Sequence, residues 1–174
     1  FPGYGDYKAY NAKRNDLTLC DMQFVSWVLS QFSSIDQMKD ALADLDLVTL
    51  DHRIGAVHWR ITEPGGRMVV LEVVGGVPQF YENKLGVITN APGFQWHMTN
   101  LNNYVNLMPG SAPNNTIAPG ITLQPLGHGS GMLGLPGDYT SPSRFVRATF
   151  FQTTAPVWPD GFSTVVQAFH ILNN

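Results

Sequence analysis

Met68-Val69-Val70-Leu71-Glu72-Val73-Val74-Gly75-Gly76-Val77-Pro78-Gln79-Phe80-Tyr81 is the stretch from which the fold class is read. An apolar run broken only by Glu72 reads as a central strand. Gly75-Gly76 turns the chain. Val77 to Tyr81 is then the returning strand. Upstream, Val57-His58-Trp59-Arg60-Ile61 alternates apolar with polar, the mark of a half-buried strand, and Glu63-Pro64-Gly65-Gly66 turns it into the central one. Downstream, Glu82-Asn83-Lys84 leads to Leu85–Thr89, which reads as a fourth strand. Connections this short favour an antiparallel meander.

Helices flank this block. Residues 1–17 carry Gly, Tyr, Asn and charge without a period and are expected to be an extended loop. Phe24, Val28 and Phe32 recur at i, i+4, i+8 and mark a first helix, with Trp27 beside the stripe. Ser34-x-x-Gln37 is a capping box that starts a second helix with Ile35, Met38 and Leu42 on its buried face. Phe94, Met98, Leu101 and Val105 predict a further amphipathic helix after Pro92-Gly93. Residues 109–126 are rich in Pro, Gly and Asn and read as a long surface loop. Ser141-Pro142 supplies an N-cap and first helical position for a helix carrying Phe145 and Val146 to about Phe151. A last helix bears Phe162, Val166, Phe169 and Leu172. No internal repeat is visible. The class is α+β.

Composition narrows the functions. Of 174 residues, 44% are hydrophobic and 13% charged, a balance that folds into a core. The net charge is −3 and the cations are scattered, so a phosphate-neutralising surface for nucleic acid is disfavoured. No apolar run approaches the roughly 18 residues of a membrane span. A single cysteine, Cys20, rules out a disulfide within the chain. The opening Phe1-Pro2-Gly3-Tyr4-Gly5 reads as the start of a processed, truncated or excised piece.

Motifs that could carry chemistry divide into weak and strong. Gly129-Ser130-Gly131-Met132-Leu133-Gly134 fits a dinucleotide loop in letters only, because Leu135-Pro136-Gly137 cannot open the helix that would face a pyrophosphate. It reads instead as a loop whose backbone bends tightly or passes close to another chain, and no cofactor is expected. Ser130 falls one place too late for a nucleophile elbow. His52, His58, His97, His128 and His170 form no i, i+4 pair, so no metal site is expected and each reads as a surface or internally bonded core histidine. Cys20, just ahead of the first helix, is either a thiol activated by the helix end or a small buried hydrophobe.

Two longer stretches go further. Gly86-Val87-Ile88-Thr89-Asn90-Ala91-Pro92, continuing to Thr99-Asn100-Leu101-Asn102-Asn103-Tyr104, resembles one signature of the choloylglycine hydrolase family, which includes bile salt hydrolases and penicillin V acylases. Gly129 to Tyr139, continuing to Ser141-Pro142-Ser143-Arg144-Phe145, resembles a second. Trp27-Val28-Leu29 to Ser34 and the closing Phe169 to Asn174 also fit. The resemblance implies part of an N-terminal-nucleophile αββα sandwich with antiparallel sheets, residues 1–174 being one partial domain, its central section. It implies an N-terminal cysteine that attacks an amide carbonyl with its own amine as base, and it places that cysteine upstream of Phe1.

Carried onto this sequence, the resemblance makes Asn90 an oxyanion-hole donor and Arg144 a fixed cation near the nucleophile. As residues alone, Asn90 could equally be a turn former before Pro92, and Arg144 a surface arginine in a first helical turn. Leu50, in the Val48–Ala56 loop, is the expected apolar contact for substrate. The expected partner is a small N-acyl amide (a conjugated bile salt, a phenoxyacetyl penicillin or an N-acyl homoserine lactone), and the family implies a homo-tetramer in which residues 107–126 serve assembly. The competing expectation is a non-catalytic remnant acting as a binding module. The compartment stays open.

Overall fold

The computed structural model describes residues 4–51, 53 and 55–173. Phe1, Pro2, Gly3, His52, Ile54 and Asn174 lie outside the described residues. The chain forms two compact units, Phe1–His97 and Met98–Asn174.

In the first unit, the three-stranded sheet has the order β3-β4-β5, with β3 Trp59–Thr62, β4 Met68–Val74 and β5 Val77–Glu82, all antiparallel. The register pairs Trp59 with Leu71, Leu71 with Phe80, and Val74 with Val77 across the Gly75-Gly76 turn. Both glycines take positive φ, 59° and 71°, as a two-residue turn of this hand demands. The turn is also held from outside, since Gly75 N–H donates to Asp6 Oδ1 at 2.6 Å and Gly76 N–H to the Asp6 carbonyl at 3.1 Å.

β4 is buried along five consecutive residues, as a strand covered on both faces must be. Val69, Leu71 and Val73 point to one face, where they join Phe24, Ile35, Met38, Leu42 and Leu47 in a single core cluster. Phe24 comes from α1, Asp21–Gln31, and stacks at 4.4 Å against the Trp59 ring. Ile35, Met38 and Leu42 come from α2, Ile35–Leu42, and all three are fully buried. Ser34 caps α2 by accepting from Gln37 N–H, while the Gln37 amide reaches back to Ser33 instead of Ser34. On the opposite face of β4, the Glu72 carboxylate meets the start of α3, Phe94–Asn100.

Several expectations are corrected. Residues 1–17 are not wholly irregular: Ala12–Leu17 is 3-10 helical, and β1 Thr18–Cys20 follows, paired in parallel with β2 Asp46–Val48. Three-residue strands are too short for a period to show. Asp46 ties the region together, accepting from Lys8 Nζ at 2.5 Å and Arg14 Nε at 2.6 Å. Leu85–Thr89 is not a strand. Asn83, itself buried, captures that segment's polar groups, accepting from Gly86 N–H and donating to the Val87 carbonyl, both at 3.0 Å. Arg60 Nη1 donates to the Gly86 carbonyl at 2.8 Å. A backbone satisfied by side chains has no need of a ladder.

The second unit departs from expectation in two places. The helix from Phe94 stops at Asn100 and continues only as 3-10 turn over Leu101–Tyr104, leaving Val105 88% exposed. The loop at 109–126 contains a hairpin, β6 Asn115–Ala118 and β7 Ile121–Leu123, turned at Gly120 with φ 77°. Its strands are too short and polar to betray themselves. α4 runs Ser141–Thr154 with Thr140, not Ser141, at the N-cap, and buries Phe145, Val146 and Phe150. α5, Gly161–Leu172, is capped by Asp160 accepting from Ser163 N–H. Its predicted stripe exists, but Phe162, Phe169 and Leu172 are exposed.

Candidate active-site elements

Asn90 lies in a segment without regular structure, at a bend, with its residue exposed. Its carbonyl accepts from His97 Nε2 at 2.9 Å. His97 is 2% exposed and belongs to α3, whose first N–H, that of Phe94, donates to Glu72 Oε1 at 2.8 Å. Thr89 Oγ1 stands 3.4 Å from the same imidazole nitrogen. The chain therefore leaves β5, is gripped at Gly86 and Val87 by Asn83, and is gripped again at Asn90 by His97. Burial pushes the His97 imidazole below its usual range, which favours the neutral ring. A neutral ring bonded through Nε2 to a carbonyl carries its proton on Nε2.

Glu72 is 2% exposed, and besides Phe94 its carboxylate lies 3.6 Å from His58 Nδ1. Burial first, and then the nearby Glu72 charge, raises the Tyr81 phenol above its usual range. Sequence reasoning did not single out Glu72 or the bond made by His97. Both depend on contacts that no local spacing encodes, 22 residues apart for Glu72 and seven for His97, although His97 does answer to the internally bonded core histidine.

Arg144 sits in the first turn of α4, exposed, with its N–H donating to the Thr140 carbonyl at 3.0 Å. The loop feeding that turn is tightly tied. Asp138 accepts from Ser143 Oγ at 2.6 Å and from Thr140 N–H at 2.9 Å and Oγ1 at 2.5 Å. These donors hold its carboxyl down at about 2. Arg147 Nη1 donates to the Pro136 and Asp138 carbonyls at 2.9 and 2.6 Å. Buried Ser143 and Phe145 flank Arg144 in sequence, so the guanidinium stem rises from an anchored turn.

Leu50 is 75% exposed beside the Thr49–Asp51 turn. Asn90 and Leu50 belong to the first unit, Arg144 to the second. The first unit also holds an apolar groove of about 430 Å³ between α1 and β3, lined among others by Phe24, Val28, Phe32, Met38 and Ile61. None of the three candidate residues lines it. Cys20 is 7% exposed at the N-cap of α1, with Sγ donating to Asp21 Oδ1 at 3.3 Å. That is the small buried residue and not a nucleophile open to substrate. The glycine-rich loop holds a short 3-10 turn, Ser130–Met132, and a side chain at Gly131 would collide with the Met108 carbonyl. It is a close-approach loop, and its neighbour is the Met108–Gly110 stretch of the same chain. Among the described residues no group of three or more His, Cys, Asp or Glu is gathered as metal ligands, and no helix is long and apolar enough to cross a membrane.

The model of the linear amide C–N hydrolases of the choloylglycine hydrolase family matches residues 1–174. The chain belongs to the choloylglycine hydrolase family. Over its whole length this choloylglycine hydrolase homologue is 35% identical to a bile salt hydrolase/transferase of Lactiplantibacillus plantarum, covering 54% of that relative. It is 36% identical over 155 residues to the corresponding protein of Clostridium perfringens, covering 87% of this chain and 47% of that one. A crystal structure of conjugated bile acid hydrolase from Clostridium perfringens superposes with a TM-score of 0.80 at 32% identity, over 99% of this chain and 53% of that one. Penicillin V acylase from Agrobacterium tumefaciens shares the fold, with a TM-score of 0.72 at 19% identity over 97% of this chain and 45% of that one. The α+β class with antiparallel sheets is thus that of N-terminal-nucleophile hydrolases, and the chain spans about half the length of the relatives it matches.

Proposed function

We propose that residues 1–174 carry the transition-state-supporting part of an enzyme that hydrolyses N-acyl amides, with conjugated bile salts the foremost substrate class. The observation that carries this reading is the Asn90 segment. An exposed asparagine stands on a backbone fixed by Asn83, Arg60 and His97, within a stretch that resembles a family signature. A donor aimed at a developing oxyanion must be held before the reaction, and such a donor lowers the barrier by about 2.7–4 kcal/mol. Penicillins and N-acyl homoserine lactones share the acyl–nitrogen bond and belong in the same assay.

The chemistry follows from the parts. A cysteine thiol attacks the amide carbonyl, its proton passing by way of the base to the leaving amine. The carbonyl oxygen becomes an oxyanion facing the Asn90 amide. The C–N bond breaks, a thioester remains, and water then releases the acid and restores the thiol. Arg144, a cation that cannot deprotonate, favours thiolate and stabilises the charge as it grows. Leu50 supplies apolar contact to the acyl part. Cys20 is sealed at the head of α1, so the attacking cysteine is supplied from outside these residues. The hairpin within residues 107–126, which exposes Ile117, Ile121 and Leu123, is the element for assembly into a tetramer.

The test is hydrolysis of glycocholate, taurocholate, penicillin V and an N-acyl homoserine lactone by the full-length protein that contains this chain. Asn90→Ala should lower kcat by about 10²–10³. Unchanged kcat in that variant, or turnover by residues 1–174 alone, would overturn the assignment. No hydrolysis of any of the four would favour a binding module.

A further inference from the structure

We propose that His97 is a positioning residue for Asn90: its buried imidazole donates from Nε2 to the Asn90 carbonyl and thereby sets where the Asn90 amide points. The inference rests on the reading of Asn90 as an oxyanion donor.

The geometry argues for it in three steps. The segment from Gly86 to Gly93 contains no strand or helix, so no ladder fixes the peptide unit of Asn90. His97 supplies a fixed point instead, 2.9 Å from the Asn90 carbonyl oxygen across seven residues. The imidazole is itself immobilised. It is 2% exposed, with the Trp96 ring edge-on at 5.6 Å. It also rides on a helix whose first N–H is bonded to buried Glu72 in the central strand. Glu72, β4 and α3 thus form a rigid support that ends at the carbonyl of the residue in question. That carbonyl carbon is bonded directly to the Asn90 Cα, so loss of the His97 bond frees the Cα and its side chain to shift together, and the amide would miss the oxyanion. Misplacement of a reacting group by about 1 Å can cost on the order of 10² in rate.

His97→Phe removes the donor and retains the ring. It should lower kcat between about 10- and 100-fold with KM changed by less than about threefold, the signature of support given only in the transition state. His97→Gln, whose amide nitrogen falls where Nε2 was, should restore kcat to within about threefold of the parent. The deciding measurement is the double-mutant cycle with Asn90→Ala in the full-length enzyme. If His97 acts through Asn90, H97F in the N90A background has no further effect on kcat beyond about twofold. Additive losses, or no rescue by H97Q, overturn the inference while leaving Asn90 in place. An N90A enzyme with full kcat overturns the underlying reading and the inference together. Should H97F not fold, His97→Asn takes its place, because its shorter amide keeps the polarity but cannot reach the Asn90 carbonyl. Failure of both to fold overturns the inference, since His97 would then serve the core alone.

Discussion

Removing the Glu72 carboxylate tests whether one buried acceptor ties α3 to the sheet. The side chain is 2% exposed and accepts the Phe94 N–H at 2.8 Å. In Glu72→Ala that N–H is stranded in the interior, at a cost of about 1–3 kcal/mol. The deleted γ-methylene adds about 0.8 kcal/mol of lost burial. A loss of about 2–4 kcal/mol is expected, a large part of the stability of a domain this size. Glu72→Gln is the informative partner. It keeps an oxygen for Phe94 and removes the charge, exchanging a stronger charge-assisted bond for a smaller desolvation cost, so a change within about 1 kcal/mol is expected. Urea unfolding followed by tryptophan emission reads both variants. With a slope of about 1–3 kcal/mol/M, the alanine midpoint should fall by roughly 1–2 M. Hydrogen exchange localises the effect: the Phe94 amide should exchange more than about tenfold faster in the alanine variant, tenfold being worth about 1.4 kcal/mol. Equal losses in the two variants would refute the reasoning, as would unaltered Phe94 exchange in the alanine variant.

Three further outcomes are expected. Lys8 and Arg14 hold the Asp46 carboxyl below its usual 3.8, so its contribution is complete above that value and is lost as pH falls through the depressed folded value; an acid titration of stability should show a steeper loss for the parent than for Asp46→Asn. Gly131→Ala forces a methyl group onto the Met108 backbone and should cost about 1–3 kcal/mol by thermal unfolding; an unchanged melting temperature would deny the close approach. Ser143→Ala removes the largest cause of the low Asp138 value, so its carboxyl midpoint, read by NMR, should climb from about 2 toward 3.8.

The central hairpin is legible because two signals agree, a nearly continuous apolar run and a glycine pair that turns the chain directly after it. The buried face of α2 was legible because Ile35, Met38 and Leu42 keep helical spacing behind a capping serine. Leu85–Thr89 has the composition of a strand and is not one, since the deciding interaction is the Asn83 amide, and a side chain that replaces a ladder leaves no period. The parallel pair β1–β2 and the hairpin β6–β7 fail for the opposite reason: three or four residues hold too little pattern. Of the candidate site, Asn90 and Arg144 were reached by resemblance to family signatures, since as letters they are a turn former and a surface cation. His97 and Glu72 gain their places from partners 7 and 22 residues away, and no local spacing encodes that.

The loop bearing Asn90 has a consequence for how such an enzyme can change. A residue in a β-ladder shares its position with every neighbour, and shifting it means moving the sheet. The segment that carries Asn90 is instead held at separate points, at Gly86 and Val87 by Asn83 and Arg60 and at Asn90 itself by the His97 ring. Each is a single side chain that one substitution can shorten, lengthen or remove. Selection, or an engineer, can therefore retune the aim of the amide in small independent steps while the hydrophobic core beneath it stays untouched.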